Sequence, residues 1–158
     1  MNKKIFYLAV LTLIVDQVSK VLIEFNFQYE TATKVIKDFF YITSYHNAGA
    51  AWGILNNRLV LIIGATLILG IIIYRFMYSF QQNKRNTIAF GLLIGGLAGN
   101  LLDRLFFGYV RDFLDFRIFH YYYPVFNLAD SAVVIAVGLL IIAIIKGEDK
   151  TNVNKSKK

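Results

Sequence analysis

Cysteine is absent from this chain of 158 residues, and histidine occurs only at His46 and His120. The absence of cysteine excludes disulfide bonds and thiolate metal sites. The two histidines form no HExxH motif, which argues against a zinc peptidase. The sequence therefore predicts no metal site.

Charged residues are also scarce. They make up 17% of the chain, whereas a soluble domain carries about 25%. Hydrophobic residues reach 57%, and the mean hydropathy is +0.54. Four apolar segments lie near residues 5–24, 59–80, 87–107 and 125–145, and each approaches the roughly 20 residues that cross a bilayer as a helix. The sequence predicts a mainly α membrane protein with four transmembrane helices.

The first apolar segment could be a signal peptide, because two lysines precede it. It contains Asp16 and Lys20, however, and it lacks a small-x-small cleavage site. We therefore interpret it as a retained first span. Residues 1–147 are predicted to form a single membrane domain, and residues 148–158 a basic, disordered tail.

Ten of the seventeen basic residues lie in or near the two ends of the chain and the short loop between the second and third spans. Positive residues favour the cytoplasmic side, so both termini are predicted to be cytoplasmic. The net charge of +7 then reflects attraction to the anionic inner leaflet. Nucleic-acid binding is disfavoured, since the topology already explains the basic excess. The ten residues are Lys3, Lys4, Arg75, Lys84, Arg85, Lys146, Lys150, Lys155, Lys157 and Lys158.

The two remaining loops would face the outside. Residues 39–45 are rich in β-branched and aromatic side chains, and residues 33–36 could pair with them as a hairpin,. Residues 106–124 form an aromatic-rich loop between the third and fourth helices. One interpretation of these aromatic residues is an interfacial belt. The other is a β-rich platform on the outer leaflet that receives a lipid-attached substrate.

Two aspartates flank the aromatic-rich loop. Asp112 follows the third span, and Asp130 lies where the fourth begins. Carboxylates at the mouth of a membrane segment are costly, so a functional site is the default hypothesis. Two facing carboxylates also indicate acid–base chemistry, because like charges cannot both ionise cheaply at close range. The one nearby basic residue is Arg111, whose side chain we expect to point elsewhere.

Other polar residues inside the spans recur at spacings of three and four, which place them on common helix faces. We expect them to meet in one polar layer inside the outer end of the bundle, since exposure to lipid is costly. The alternative is a purely structural network in which Asp16 neutralises Lys20, and Asp103 neutralises Arg104. The set comprises Asp16, Lys20, Asn100, Asp103, Arg104, Asn127, Asp130 and Ser131.

Small residues mark two further segments. Gly91, Gly95 and Gly99 repeat every four residues, a pattern typical of close helix packing in membranes. The segment 47–53 precedes the second span. It could be a turn with Asn47 as a helix cap, or it could bring a buried asparagine to the polar layer. The residues leave both interpretations open.

Five motifs carry a resemblance that covers nearly the whole chain. They are Asp16-Gln17-x-x-Lys20, Asn47-x-Gly49-Ala50-Ala51-Trp52-Gly53, Gly95-Gly96-x-x-Gly99-Asn100-x-x-Asp103-Arg104, Val110-x-Asp112-Phe113 and Phe126-Asn127-x-Ala129-Asp130. With these motifs in this order, the chain resembles the bacterial lipoprotein signal peptidases, also called signal peptidase II.

The resemblance implies an intramembrane aspartic endopeptidase of the bacterial cytoplasmic membrane. Its substrates would be prolipoproteins that carry diacylglycerol on a cysteine, and cleavage would fall just before that cysteine. The catalytic pair would be Asp112 and Asp130, near the outer face. A four-span bundle could work as a monomer, and the expected partners are the lipidated substrate and membrane lipid, with no cofactor, metal or nucleic acid. The residues that would bind substrate or support the site are Asp16, Lys20, Asn47, Gly49, Asn100, Arg104 and Asn127.

The chemistry of two carboxylates is compatible with that activity, because one carboxylate can activate a water while the other protonates the scissile carbonyl. Two other classes of protein stay open. Charged residues inside the spans would also suit a small transporter or ion pathway. The glycine face and the aromatic residues would suit a non-enzymatic assembly or lipid-binding subunit.

Overall fold

The structure is a computed structural model, and it describes residues 2–49, 58–119 and 121–149. It contains four helices that are long and apolar enough to cross a membrane: α1 (Lys3–Asn26), α2 (Leu59–Met77), α3 (Lys84–Phe107) and α4 (Leu128–Ile145). Helix α3 lies at the centre and packs against α1 and α4, whereas α2 contacts mainly α3. The predicted mainly α architecture with four spans is confirmed.

Side-chain caps mark the start of α1, α3 and α4, whereas α2 begins after Arg58 without one. Asn2 caps α1 and Asn83 caps α3, each through a side-chain oxygen that accepts a backbone N–H of the first turn. Asn127 caps α4 in the same way, and Asp130 accepts the backbone N–H of Asn127 in return,. This reciprocal capping box explains why α4 begins at Leu128 rather than at residue 125, as the apolar pattern alone suggested.

The glycines of α3 allow close helix packing, as the sequence predicted. A Cβ atom at Gly91 would lie 2.6 Å from Leu8 Cβ, and one at Gly95 would lie 2.5 Å from the carbonyl oxygen of Ala9. At Gly99 an added Cβ would collide with the carboxylate of Asp16. The absence of side chains at these positions therefore brings α1 and its polar residues directly against α3.

A four-stranded antiparallel sheet joins the helices at one end of the bundle. Its strands are β1 (Ala32–Ile36), β2 (Phe40–Asn47), β3 (Val110–Ile118) and β4 (Tyr121–Tyr122), and they lie side by side in that order. Strands β1 and β2 form the hairpin that the sequence predicted. The turn between them includes Asp38 in the left-handed conformation, at φ 57°.

Strand β3 lies in the segment 106–124, which the sequence predicted only as an aromatic-rich loop. It pairs with β2, with Asp112 opposite Tyr45 and Val110 opposite Asn47. The partner strand precedes β3 by two helices in the chain, so no local pattern could specify the pairing. As a result, Asp112 lies on a strand whose position is fixed by a neighbour on each side.

The bundle is apolar at the end away from the sheet and polar near the sheet. Its buried apolar cluster comprises Ile5, Ile73, Met77, Phe80, Phe90, Leu93, Ala136 and Ala143. These residues belong to the start of α1, the end of α2 and its following turn, the start of α3 and the second half of α4. The buried charged residues Asp16, Lys20 and Asp103 lie toward the opposite ends of their helices.

Candidate active site

Asp112 and Asp130 line the same cavity, which has a volume of about 600 Å³. Asn47, Asn100, Arg104 and Ser131 line it on the polar side, and Phe116, Ile118, Tyr123, Val134 and Ile135 are among its apolar walls. Val134 and Ile135 are exposed on the outer surface of α4. The cavity thus contains both carboxylates and opens onto the apolar outer surface of α4.

The main chain brings the two aspartates together. Strand β3 and the segment before α4 are tied by hydrogen bonds between Leu114 and Phe126, at 2.8 Å and 3.1 Å in the two directions. Asp112 lies two residues before Leu114, and Asn127 directly follows Phe126. The helix that carries Asp130 therefore begins beside the strand that carries Asp112.

Asp112 is 2% exposed and accepts hydrogen bonds from two asparagine side chains. Asn127 Nδ2 donates to its Oδ1 at 2.6 Å, and Asn47 Nδ2 donates to its Oδ2 at 2.9 Å. Burial, followed by the charge of Asp130, raises the pKa of Asp112 from 3.8 to about 7,. This carboxyl group is therefore largely protonated below neutral pH and about half protonated near pH 7.

Asp130 is the third residue of α4. Its Oδ1 accepts from Asn100 Nδ2 at 2.7 Å, and its Oδ2 accepts from the backbone N–H of Asn127 at 3.2 Å. Asn127 consequently contacts both carboxylates, one through its side chain and the other through its main chain. Among the residues that the structure describes, none forms a direct ion pair with either carboxylate.

Lys20 lies at the centre of the polar layer and is fully buried. Its Nζ is 2.8 Å from Asp16 Oδ2 and 3.1 Å from Asp103 Oδ2, and it donates to Asn100 Oδ1 at 3.0 Å. The expected pairing of Asp16 with Lys20 is therefore present. The alternative pairing of Asp103 with Arg104 is wrong, because consecutive helical residues do not face each other.

Arg104 points into the cavity rather than toward Asp103. Its guanidinium donates to the carbonyl oxygens of Gly49, at 3.0 Å, and Asn100, at 3.4 Å. These two contacts place a cation on the cavity wall near both aspartates. Gly49 contributes its carbonyl here, and its N–H donates to Asn47 Oδ1 at 3.0 Å.

Arg111 points away from the neighbouring Asp112, as the sequence analysis expected. It is 4% exposed and donates to Asp103 Oδ1 at 2.8 Å, to Gln17 Oε1 at 2.8 Å and to Glu24 Oε2 at 3.1 Å. Within the described part of the chain, Asp112 therefore has no paired arginine, although one precedes it in the sequence.

Two interpretations of the segment around Asn47 were open: a turn with a helix cap, or an asparagine in the polar layer. The position of Asn47 favours the second. It is the last residue of β2, and its side chain reaches Asp112. The asparagine therefore joins the polar layer. The remainder of the motif, residues 50–53, lies outside the described residues, and so does His120.

Two residues of the polar layer were not singled out from the sequence. Gln17 donates to Asp103 Oδ1 at 3.0 Å, and Glu24 contacts both Arg111 and His46. Helical spacing could have identified Glu24, because it lies four residues after Lys20 on the face that already carries Asp16.

The chain is similar to known proteins over most of its length. The family model described as signal peptidase (SPase) II matches residues 8–146. A lipoprotein signal peptidase of Moorella thermoacetica is 47% identical over 136 residues, which cover 84% of this chain and 87% of the relative. A lipoprotein signal peptidase of Staphylococcus aureus is 41% identical over 152 residues, covering 92% of this chain and 93% of the relative.

Solved structures share the fold. A bacterial membrane enzyme determined by the in meso method at 2.3 Å resolution matches with a TM-score of 0.83 at 39% identity, over 92% of this chain and 90% of that chain. A second such structure, at 1.9 Å resolution, matches with a TM-score of 0.82 at 39% identity, over 92% and 95% of the two chains.

Proposed function

Because the chain belongs to the signal peptidase II family, we propose that it removes signal peptides from diacylglyceryl-modified prolipoproteins with Asp112 and Asp130 as an aspartic dyad. Membership makes the chain a peptidase that processes lipoprotein signal peptides. Its four apolar helices make it a multi-pass membrane protein. The aspartic mechanism, the cleavage position and the orientation in the membrane belong to the proposal.

The observation that carries the proposal is the placement of the buried Asp112 and the half-buried Asp130 in one cavity, with Asn127 in contact with both. Such a pair can share one proton, because the charge of one opposes ionisation of the other. Burial and the charge of Asp130 hold the pKa of Asp112 near 7. We therefore assign the shared proton to Asp112 and the role of general base to Asp130.

In the first step, Asp130 takes a proton from a water whose oxygen attacks the scissile carbonyl carbon. Asp112 gives its proton to the carbonyl oxygen, so the intermediate is a neutral gem-diol. In the second step, the C–N bond breaks and Asp130 returns its proton to the leaving nitrogen. Asp112 recovers a proton from the diol, and the dyad regains its initial state.

The cavity walls suit a substrate that is both peptide and lipid. Asn100 and Arg104 offer hydrogen-bond donors for the peptide backbone. Ile118, Val134 and Ile135 form an apolar wall that continues onto the exposed face of α4. An acyl chain attached to the cysteine can extend along this wall while the bond just before the cysteine lies at the carboxylates.

We place both termini in the cytoplasm and the sheet at the outer leaflet of the bacterial cytoplasmic membrane, where the lipidated cysteine is anchored. A single chain supplies every group that the mechanism uses, which supports a monomer. An ion pathway is disfavoured, because the apolar cluster around Phe90 and Leu93 occupies the opposite half of the bundle.

Cleavage of a purified precursor, with and without its diacylglyceryl group, tests the proposal. Asp112→Asn and Asp130→Asn should each lower kcat by about 1,000-fold, since general acid–base groups contribute about 100- to 10,000-fold. Asp38→Asn is a matched control, because Asp38 is an exposed carboxylate in the β1–β2 turn. Unchanged cleavage by either dyad variant would contradict the proposed dyad. Equal cleavage of the precursor without its diacylglyceryl group would contradict the proposed specificity for lipidated substrates.

A further inference from the structure

The residue before each proposed catalytic aspartate donates its backbone N–H to a buried carboxylate. One of these carboxylates lies on α1 and the other on α3. Ala129, before Asp130, donates to Asp16 Oδ1 at 2.9 Å. Arg111, before Asp112, donates to Asp103 Oδ2 at 3.0 Å. Both accepting carboxylates are fully buried.

Lys20 joins these two carboxylates. Its ammonium lies 2.8 Å from Asp16 Oδ2 and 3.1 Å from Asp103 Oδ2. Its third contact is Asn100 Oδ1 at 3.0 Å, so all three N–H donors have an acceptor. A continuous set of contacts thus runs from the start of α4 through Asp16, Lys20 and Asp103 to the start of β3.

We infer that Asp16, Lys20 and Asp103, together called the Lys20 clamp, set the distance and orientation between Asp112 and Asp130. This inference rests on the proposed function of the two aspartates. It makes Asp103 a positioning residue, which acts through the main chain of β3 and contacts no reacting atom.

The clamp suits this role because its geometry is rigid. Buried charges are stable only with close partners and satisfied hydrogen bonds, so any displacement is costly. Asp103 is held further by the Arg111 guanidinium at 2.8 Å, and Asp16 by Gln17 at 3.2 Å. Each carboxylate accepts a main-chain hydrogen bond from the residue directly before a proposed catalytic aspartate. The main chain of that aspartate can therefore move little relative to the carboxylate.

The clamp complements the pairing of Leu114 with Phe126. That pairing ties β3 to the segment before α4, within the stretch of chain that separates the two aspartates. With only this connection, the start of α4 could pivot relative to the strand. Asn127 links the start of α4 to Asp112 directly, and the Lys20 clamp adds an attachment that runs through α1 and α3.

Loss of the clamp should lower kcat while KM stays close to its unmodified value. A misplacement of about 1 Å costs about 100-fold in rate, whereas the cavity walls that bind substrate remain. The informative variant is the double replacement Lys20→Met with Asp103→Asn, because it removes one positive and one negative charge and keeps the net charge of the cluster. We expect kcat to fall by about 100-fold.

The value of kcat well below the melting temperature separates positioning from general destabilisation. The positive charge of Lys20 is among the influences that lower the pKa of Asp112. Lys20→Met alone should therefore move the alkaline limb of the kcat profile to higher pH, in addition to lowering kcat. A role confined to folding stability predicts a lower melting temperature with an unchanged kcat at the pH optimum.

Two glycines provide a matched pair that changes no charge. Gly99→Ala would push against the Asp16 carboxylate, whereas Gly91→Ala would press on the side chain of Leu8 two helical turns away,. Both substitutions disturb the packing of α1 on α3. Only Gly99→Ala should lower kcat once both are assayed well below their melting temperatures.

The results distinguish this inference from the proposed function. If Asp112→Asn and Asp130→Asn abolish cleavage while the double variant and Gly99→Ala keep the unmodified kcat, the clamp is overturned and the dyad stands. If the two dyad variants cleave normally, the proposed function itself fails. An equal loss of kcat in Gly91→Ala and Gly99→Ala would also contradict the clamp.

Discussion

The side-chain amide of Asn127 donates to Asp112 Oδ1 at 2.6 Å. The same residue caps α4, because its Oδ1 accepts the backbone N–H of Asp130 at 3.0 Å. One asparagine therefore ends the aromatic segment, begins the last helix and contacts both proposed catalytic groups. Its capping role and its role in the site can be separated by substitution.

Asn127→Ser should retain the cap and lose the contact with Asp112, since a serine hydroxyl caps helices well but is too short to reach the strand. Asn127→Ala should lose both, and its stability should fall by about 1 kcal/mol, the typical worth of a cap. We expect kcat to fall in both variants and the melting temperature to fall mainly in the alanine variant. Steady-state cleavage and thermal unfolding in detergent measure the two effects. A serine variant with an unmodified kcat would contradict a role for Asn127 in catalysis.

The rate of cleavage should fall as pH rises through about 7. Burial and the charge of Asp130 raise the pKa of Asp112 to about 7, and the proposed mechanism requires a proton on this carboxyl group. Above that pH the dyad loses its shared proton. A kcat profile from about pH 5 to about pH 9 checks this expectation, and a rate that climbs throughout the range would contradict it.

The stability of the folded protein should also depend on pH through the Asp112 carboxyl group. The pKa of Asp112 is higher in the folded state, about 7 against 3.8, so the folded state binds the proton more tightly. Its contribution to stability is complete below about pH 4 and is lost as pH rises through about 7. The melting temperature should therefore decline between these limits, and Asp112→Asn should show a shallower decline. An equal slope in both proteins would be evidence against the raised pKa.

The absence of cysteine makes the membrane orientation testable with single introduced thiols. Lys37→Cys lies in the β1–β2 turn, and Gln82→Cys lies between α2 and α3; both positions are exposed. In right-side-out vesicles a membrane-impermeant maleimide should label the first and spare the second. Inverted vesicles should give the opposite pattern, and the reverse result in both preparations would invert the proposed topology.

Metal chelators should leave cleavage unchanged, because the proposed mechanism activates water with a carboxylate. Precursor cleavage measured with and without EDTA checks this point. The Asp130→Asn variant, which is expected to cleave about 1,000-fold more slowly, sets the background. Activity lost on chelation and restored by a divalent ion would require a metal-assisted step in place of the dyad mechanism.

The proposed catalytic residues could be identified from the sequence, because the energetic cost of a charged side chain in an apolar segment depends only on the neighbouring residues. A carboxylate at the edge of an apolar segment is conspicuous whatever it contacts, which is why Asp112 and Asp130 could be selected. The spacing from Asp16 to Lys20 likewise places both on one helix face. The pairing of Asp103 was misjudged, because its partners Lys20 and Arg111 come from other elements.

The sequence by itself determined the four spans, the β1–β2 hairpin and the glycine face of α3, because hydrophobic length and helical or strand periodicity are properties of neighbouring residues. Only the tertiary structure decided that residues 110–118 form a strand, since its partner β2 lies beyond two helices. It also decided that Lys20 joins two carboxylates from separate helices. Buried charges are stable only with partners that the whole fold supplies.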